Sequence, residues 1–374
     1  MTPPNQRKKE INEAFMKACE ATQDGTVKKE LKIKICILHR YPSDQIKTTN
    51  AAFPYLLQEG VEVKTFKTFN RLNDKAKLLK SIWWIFYAPF LVIGRGYDVI
   101  YCDDSFPFYP ALVKLVCPKS KVVIRLGDLH LLYYCSGWIY KFLHFFEKIE
   151  WRMVDRILAI SGSMADLITT ELNIPVEVVY DPVDPKDFPP SYQTHYPKRV
   201  MFHGLLTRNK NVDVLLEAAI RLPDIDFWIV GDGPDRARLE QKAPSNVRFL
   251  GWVSYESIHL YIDECDIGVA LRSDNPGNEL VVTSPFLQYS VMGKPCIVTR
   301  RKVFGDYLWQ FSTVKELVGD IELLLIFPEE GERTKKYVLE NHEASKIAQQ
   351  IWDILCEDDI MKHCLVFTTS KPKE

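Results

Sequence analysis

Two cations follow a short apolar run in the second half of the chain. The run "RVMFHG" (199–204) leads into "LLTRNKNVDVLLEAAIRLP", in which Arg208 and Lys210 precede apolar residues at helical spacing. We expect a helix to begin near Asn211. Free backbone N–H groups at the start of a helix attract an anion, and two cations neutralise a diphosphate as a leaving group. The loop therefore predicts a diphosphate site; the alternative is two solvated cations on an exposed loop.

A second apolar run leads into a glycine-containing turn. In "IVGDGPDRARLE" (229–240) we expect Gly231 and Gly233 to let the backbone approach a ligand closely, and Pro234 to open a helix. Arg236 stands where the third glycine of the dinucleotide-binding pattern G-x-G-x-x-G belongs. The sequence therefore argues against an NAD-dependent oxidoreductase.

Composition excludes several classes of protein. The chain has 374 residues, enough for two domains, and its 48 basic and 49 acidic residues provide no general attraction to nucleic acid. Nine cysteines without C-x-x-C spacing predict reduced thiols in a cytosol-like compartment, and no cluster of residues predicts a metal site. The longest uncharged run, residues 81–94, is too short to span a bilayer, which takes about 20 residues.

Strand-like and helix-like segments alternate on both sides of a proline-rich stretch, residues 181–197. The strand-like runs are 31–39, 61–66, 97–102, 121–127, 155–161, 176–184, 199–204, 225–233, 246–253, 265–271 and 295–299. Helices are expected at residues 49–60 and 137–153, among others. Such alternation predicts parallel sheets covered by helices on both faces. The predicted fold class is α/β, with two doubly wound Rossmann-like parallel-sheet domains that face each other across a ligand-binding cleft.

Four segments follow one another in a specific order. They are "FHGLLTRNKNVDVLLEAA", "WIVGDGPDRARLE", "NVRFLGWVSYESIHLYIDECDIGVALRS" and "QYSVMGKPCIV". In this order and spacing, residues 199–300 resemble the donor-binding half of GT-B glycosyltransferases. The family is the large group of retaining, nucleotide-sugar-dependent enzymes with sucrose-phosphate synthase-like and mannosyltransferase members, also called glycosyltransferase group 1. The first half of the chain resembles the same family more loosely.

The resemblance implies a division of the chain. It predicts a polar leader (1–30), an acceptor-side domain (31–190), a nucleotide-sugar donor domain (191–345) and a C-terminal helix (346–374) that crosses back to the first domain.

Family members hold the donor diphosphate with an arginine and a lysine. Lys210, six residues after Gly204, matches the lysine. Leu205 stands at the usual place of the arginine, so Arg208 would have to act from a different position. The other donor-binding residues that the resemblance implies are His203, Gly204, Gly231, Gly233, Val253 and Asn278.

The segment "DNPGNELVVTSPFLQYSVMGKP" (274–295) departs from the family at two positions. Relatives carry two glutamates with seven residues between them, the first near the transferred sugar and the second on the donor ribose. Gln288 stands at the second position, and Glu279 lies one place from the first. Gln288 keeps hydrogen-bonding capacity without the charge. Thr283 and Ser284 lie near where relatives offer small polar groups to the sugar and the phosphate.

Two further catalytic candidates follow the strand-like run 121–127. Relatives place a histidine at the end of this strand, where Gly127 stands here. Asp128 and His130 are close enough in sequence to contact the transferred sugar instead. The alternative is a capping aspartate and an ordinary surface histidine.

A basic segment next to aromatic residues marks the first domain. Residues 64–80 hold six cations and one carboxylate, and "SIWWIFYAPF" follows; "HLLYYCSGWIYKFLHFF" (130–146) adds more rings. This pattern predicts peripheral contact with an anionic membrane. The alternative is that the rings pack the core of the first domain.

These observations predict a nucleotide-sugar-dependent hexosyltransferase that moves a sugar, with retention, to a glycan or lipid-linked acceptor. We expect it in the cytoplasm or at the cytoplasmic face of a membrane. The nucleotide sugar is a co-substrate, and we expect no tightly bound cofactor, no metal and no nucleic-acid partner. Leu205 and Gln288 favour an alternative: a catalytically impaired, sugar-nucleotide-binding or partner subunit of a membrane-associated glycan-assembly system.

Overall fold

A computed structural model describes residues 33–39, 52, 55, 61–67, 77–103, 109–129, 131–132, 135–190 and 195–356. Helices and strands are numbered in chain order within these residues. The candidate His130, the polar leader and most of the helix expected near residues 49–60 lie outside them.

The first sheet consists of parallel strands in the order β2-β1-β3-β4-β5-β6. The strands are β1 (Ile33–His39), β2 (Val61–Lys67), β3 (Val99–Asp103), β4 (Lys121–Leu126), β5 (Arg156–Ala159) and β6 (Glu177–Val178). The helices described with them are α1 (Lys77–Val92), α2 (Tyr109–Val116), α3 (Gly137–Met153) and α4 (Gly162–Leu172). Every residue of β3 is buried, because helices cover both faces of the sheet.

The second sheet is also parallel, in the order β12-β11-β10-β7-β8-β9. Its strands are β7 (Arg199–His203), β8 (Asp226–Val230), β9 (Val247–Gly251), β10 (Ile267–Ala270), β11 (Cys296–Thr299) and β12 (Gln310–Phe311). Its helices are α5 (Asp213–Arg221), α6 (Arg236–Glu240), α7 (Ile258–Asp263), α8 (Ser284–Val291), α9 (Val314–Ile326) and α10 (Glu330–Asn341), with 3₁₀ turns at Arg208–Lys210, Pro276–Leu280 and Lys302–Phe304. Two parallel sheets confirm the predicted fold class. The sequence missed β12, because two residues are too few to show a strand pattern.

The chain crosses between the sheets twice, and the two crossings pair with each other. The N–H of Val183 donates to the carbonyl of His342 at 2.8 Å, and the N–H of Ala344 donates to the carbonyl of Val183 at 3.0 Å. Helix α11 (Ala344–Cys356) then packs against the first sheet and buries Trp352 in the same apolar cluster as residues of β1 and β3. The C-terminal helix thus lies on the first domain.

A second contact joins the domains near the carboxyl ends of the strands. The hydroxyl of Ser161, the N-cap of α4, donates to the carbonyl of Leu280 at 2.6 Å. Leu280 and Val281 also lie in the apolar cluster of β4, β5 and α4. The segment between β10 and α8 is therefore anchored on the first domain.

Candidate active site

Strand order in the second sheet marks one position as a ligand crevice. β7 and β10 are neighbours, and their register pairs Val200 with Ile267. The chain proceeds from β7 to β8 on one side and returns at β10 on the other, so the strand order reverses between them. Ligands in such sheets bind beyond the carboxyl ends of the strands at this reversal. The loops that follow β7 and β10 therefore flank the expected donor crevice.

Hydrogen bonds hold these two loops together. Ser273, after β10, donates its N–H to the carbonyl of Asn209 and its hydroxyl to Asn209 Oδ1, both at 2.8 Å. The side-chain amide of Asn278 donates to Asn209 Oδ1 at 3.0 Å and to the carbonyl of Ser273 at 2.8 Å. Asn278 is almost fully buried. Its amide hydrogens are engaged in fastening the loops, so its role in this structure is to position their cations.

Lys210 is a half-buried cation on the first of these loops. Its ammonium makes no hydrogen bond or ion pair with any residue that the structure describes. Burial lowers its pKa to about 7, with a further lowering by Arg272 and a partial compensation by Asp128. An ammonium held in this way gains most from an anionic ligand. The structure therefore supports the predicted contact between Lys210 and a diphosphate.

Arg272 is a site residue that sequence reasoning missed. It follows β10 and lies close enough to Lys210 to lower the pKa of that lysine. Among the residues that the structure describes, its buried Nε has no hydrogen-bond partner, and its Nη1 donates only to Asn278 Oδ1, at 3.5 Å. A guanidinium with this much unused donor capacity is suited to a phosphate. The signal that could have revealed it is its position just beyond the strand that neighbours β7.

His203 ends β7 beside the same cations. Burial, with the nearby charge of Lys210, lowers the pKa of His203 to about 3, so the ring is neutral. Its buried Nε2 has no hydrogen-bond partner in the described part of the chain, and its ring meets that of Tyr289 edge-to-face at 4.9 Å. The hydroxyl of Tyr289 in turn donates to the carbonyl of Met201 at 2.9 Å, which fixes α8 on β7.

Three predicted donor-binding residues lie on or before α8. Thr283 is buried, and its Oγ1 has no hydrogen-bond partner within the described ranges. Ser284, the first residue of the helix, is half-buried. Gln288 is 5% exposed, and its amide bonds to none of the residues that the structure describes. These groups leave polar atoms available at the helix N-terminus, where backbone N–H groups also attract anions.

The two glycines of the β8 loop let another loop approach their backbone closely, and their contact with the donor stays a prediction. A Cβ on Gly231 would lie 1.9 Å from the carbonyl oxygen of Gly204, and one on Gly233 would lie 2.3 Å from that of Leu206. The N–H of Leu206 also donates to the carbonyl of Asp232 at 2.9 Å. Their missing side chains let the loops after β7 and β8 touch, and this contact supports the loop that carries Lys210.

Two charged candidates are engaged in other contacts in this structure. Arg208 forms an ion pair with Asp235 at 3.1 Å, and its side chain is 75% exposed. Glu279 accepts the N–H of Lys302 at 3.0 Å and lies 3.6 Å from the guanidinium of Arg301. The structure does not bring either side chain together with Lys210 and Arg272. Their roles at the donor stay predictions that require these contacts to break.

The first domain contributes Asp128 to the cleft. It follows β4, and its charge acts on Lys210 of the second domain. The residue predicted to contact the transferred sugar, Asp128, and the residue predicted to contact the diphosphate, Lys210, therefore lie in the same region of the structure. Val253, after β9, packs at the edge of an apolar cluster and stays a predicted donor contact.

A cavity of about 480 Å³ lies elsewhere in the second domain. Its walls include Phe286, Tyr307, Trp309 and Tyr337, and none of the predicted donor-binding residues lines it. Within the described ranges, no group of three or more His, Cys, Asp or Glu side chains could hold a metal ion. The cations available for a diphosphate lie instead at the strand-order reversal.

Comparison with known proteins identifies both halves of the chain. The family model described as Glycosyltransferase Family 4 matches residues 47–187, and the model described as Glycosyl transferases group 1 matches residues 197–310. A curated relative, the lipopolysaccharide core biosynthesis glycosyltransferase LpsE of Rhizobium meliloti (strain 1021), is 29% identical over 106 residues. That match covers 27% of this chain and 29% of the length of LpsE.

Solved structures with the same fold cover most of the chain. Sucrose-phosphate synthase from Thermosynechococcus elongatus superposes with a TM-score of 0.69 at 13% identity, over 86% of this chain and 98% of that one. The Anabaena protein HepE in complex with UDP-glucose superposes with a TM-score of 0.61 at 16% identity, over 87% and 99%. The two family models in series show that this chain is a glycosyltransferase with a group 1 domain in its second half, and the shared two-sheet architecture is the GT-B fold.

Proposed function

We propose that this protein transfers a hexosyl group, with retention, from a nucleotide-diphosphate sugar to a glycan or a lipid-linked acceptor. The observation that carries the proposal is the pair of cations, Lys210 and Arg272, at the strand-order reversal of the second sheet. Neither cation has an ion pair within the described part of the chain. Burial and the charge of Arg272 disfavour the protonated form of Lys210 and lower its pKa. A diphosphate between them would supply the missing charge.

The reaction needs little else from the second domain. The bond between the sugar C1 and the diphosphate oxygen breaks, and the acceptor oxygen bonds to C1 on the same face. The acceptor proton passes to the departing diphosphate. Lys210 and Arg272 stabilise the charge that develops on the leaving group. In this proposal Thr283 and Ser284 contact the sugar and the phosphate, Gln288 contacts the ribose, and Asp128 contacts the transferred sugar from the first domain.

The first donor to test is a UDP-sugar. HepE, which shares the fold, was crystallised with UDP-glucose, and fold similarity at this identity leaves the base and sugar of the present donor open. We place the reaction in the cytoplasm or at the cytoplasmic face of a membrane, because the basic and aromatic first domain suits an anionic lipid surface.

A second function is favoured by Leu205 and Gln288. Both positions lack the charged group that the family resemblance implies, which fits a partner subunit that binds a sugar nucleotide without transferring the sugar. Arg272 weakens this alternative, because it brings a guanidinium close to Lys210 and could replace the arginine that is missing at Leu205.

A binding and hydrolysis screen tests the proposal. Calorimetric titration with UDP-, GDP- and ADP-sugars should identify one donor, and slow hydrolysis of that donor should follow without an acceptor. Lys210→Ala should lower the rate of donor hydrolysis by two orders of magnitude or more, because about 3 kcal/mol of charge stabilisation is lost. Its circular dichroism spectrum should be unchanged. Binding without hydrolysis would support the partner-subunit function. Absence of nucleotide binding would refute both.

A further inference from the structure

Two helices of the first domain each expose an aromatic stripe. On α1 and just after it, Trp83, Phe86, Phe90 and Ile93 are between 44% and 70% exposed. Spacings of three, four and three residues place them on one side of a helix. The opposite side of α1 carries buried residues such as Trp84.

Helix α3 repeats this arrangement. Trp138, Phe142, Phe145 and Ile149 are between 39% and 75% exposed, at spacings of four, three and four residues. Helix α2 packs against both α1 and α3 and ends with the exposed pair Leu115 and Val116. We call the exposed residues of these three helices, with Ile93, the aromatic face.

The aromatic face differs from the remaining surface in its density of large apolar side chains. Of the 23 exposed large hydrophobic residues in the described part of the chain, 12 lie on it. Single exposed apolar residues are normal in soluble proteins, whereas a contiguous set marks an interaction surface. Packing of the domain core accounts for the buried side of each helix and leaves these residues unexplained.

Charge on the aromatic face is of one sign. The sequences of α1 and α2 contain no carboxylate, and the carboxylates of α3, Glu147 and Glu150, are buried. Lys141 and Arg152 of α3 are exposed and have no ion pair with any described residue. In the sequence, residues 64–80 hold six cations, of which four precede α1 and two, Lys77 and Lys80, belong to its first turns. The complementary partner is therefore apolar at its centre and anionic at its surface.

We propose that the aromatic face is a docking surface for the interfacial region of an anionic lipid bilayer. Tryptophan and phenylalanine insert at the headgroup boundary while cations pair with anionic headgroups. No helix in the described ranges has both the length and the hydropathy to cross a membrane. A second copy of the chain is a poorer partner, because a symmetric dimer would place the cations of one face against those of the other.

This proposal rests on the proposed function, since it names the surface on which a lipid-linked acceptor would be met. Helix α3 begins nine residues after Asp128, so only a short segment of chain connects the aromatic face to the residue that the first domain contributes to the cleft.

Vesicle co-sedimentation tests the proposal with the full chain. Vesicles of phosphatidylcholine and phosphatidylglycerol should bind the protein at low salt, and pure phosphatidylcholine vesicles should bind less. The double variant Phe86→Ser/Phe142→Ser should lower the partition coefficient about tenfold or more, because two inserting rings are lost. Ile220→Ser is the matched control, since Ile220 is 62% exposed on α5 of the second domain. It should bind vesicles like the unmodified protein.

Fluorescence gives an independent readout. Brominated lipids should quench the emission of the unmodified protein, and Trp138→Phe should lose part of this quenching while it retains binding. Unchanged sedimentation of the double variant would overturn the proposal. So would a dimer, seen by ultracentrifugation, that the double variant abolishes while vesicle binding persists. In solution without vesicles, the double variant should bind UDP-glucose as the unmodified protein does. If the unmodified protein binds vesicles but no nucleotide sugar, the proposed function is refuted and the docking surface is not.

Discussion

Arg272 lies close enough to Lys210 to lower the pKa of that lysine, although 62 residues separate them in the chain. The contact arises because β10 pairs with β7 and because Ser273 and Asn278 fasten the two loops through Asn209. Two cations are thus held near each other, neither forms an ion pair with a described residue, and the charge of Asp128 compensates only in part. Such an arrangement is costly in an empty protein, and an anionic ligand relieves it. The donor diphosphate of the proposed function would be such a ligand.

Donor binding should be coupled to proton uptake. The pKa of Lys210 is lowered to about 7, so at pH 8.5 most of the free protein carries a neutral lysine. A bound diphosphate raises this pKa and restores the proton, because it favours the charged form. Titration of UDP-glucose at about pH 8.5, in two buffers of different ionisation enthalpy, should reveal uptake of nearly one proton per site. The Lys210→Ala variant should show none, and tight binding without uptake in the unmodified protein would contradict the assignment.

Arg272 should matter more than Arg208 for the donor. Arg272→Ala removes a guanidinium with one long hydrogen bond and should cost about 1.5–3 kcal/mol of donor binding, a factor of about 10 to 100. Arg208→Ala removes an exposed ion pair with Asp235 and should change binding by less than about twofold. The two dissociation constants, measured side by side, decide which arginine replaces the one missing at Leu205. The reverse ranking would show that Arg208 turns inward when the donor binds.

Gln288→Glu should tighten nucleotide binding. The amide of Gln288 has no hydrogen-bond partner among the described residues, and glutamate matches glutamine in size and helix propensity. A carboxylate that accepts from ribose hydroxyls should strengthen binding by up to about 2 kcal/mol. Calorimetry of both proteins with the same nucleoside diphosphate measures the difference. Weaker binding would mean that the amide donates a hydrogen bond to the ligand, and no change would place the ribose elsewhere.

Gly231→Ala should destabilise the second domain. A Cβ there meets the carbonyl oxygen of Gly204 at 1.9 Å, and the φ of Gly231 is 141°, which disfavours any side chain. We expect a loss of about 3 kcal/mol or more in the free energy of unfolding, from overpacking combined with backbone strain. Gly162→Ala is the control, because a Cβ at this position meets no atom within 4 Å and should leave stability nearly unchanged. Equal denaturation midpoints for the two variants would contradict the contact between the loops.

Much of the fold was predictable from local patterns. Each strand-like run of the sequence analysis overlaps a strand in the structure. The helix expected at 137–153 was found with those bounds. Strands that are buried on both faces appear in the sequence as unbroken apolar runs, and helices appear as apolar residues at spacings of three and four. Glycine also marked the end of α8, since Gly293 has a φ of 80° that other residues rarely adopt.

The sequence by itself determined that two parallel sheets form and that Lys210 follows a strand in the second, because periodicity and punctuation are local properties. Only the tertiary structure decided which cation accompanies Lys210. Arg208 is two residues away in sequence, yet it pairs with Asp235, whereas Arg272 arrives from the neighbouring strand. Strand order is a property of the whole chain, set by how distant apolar faces pack, and no local pattern encodes it.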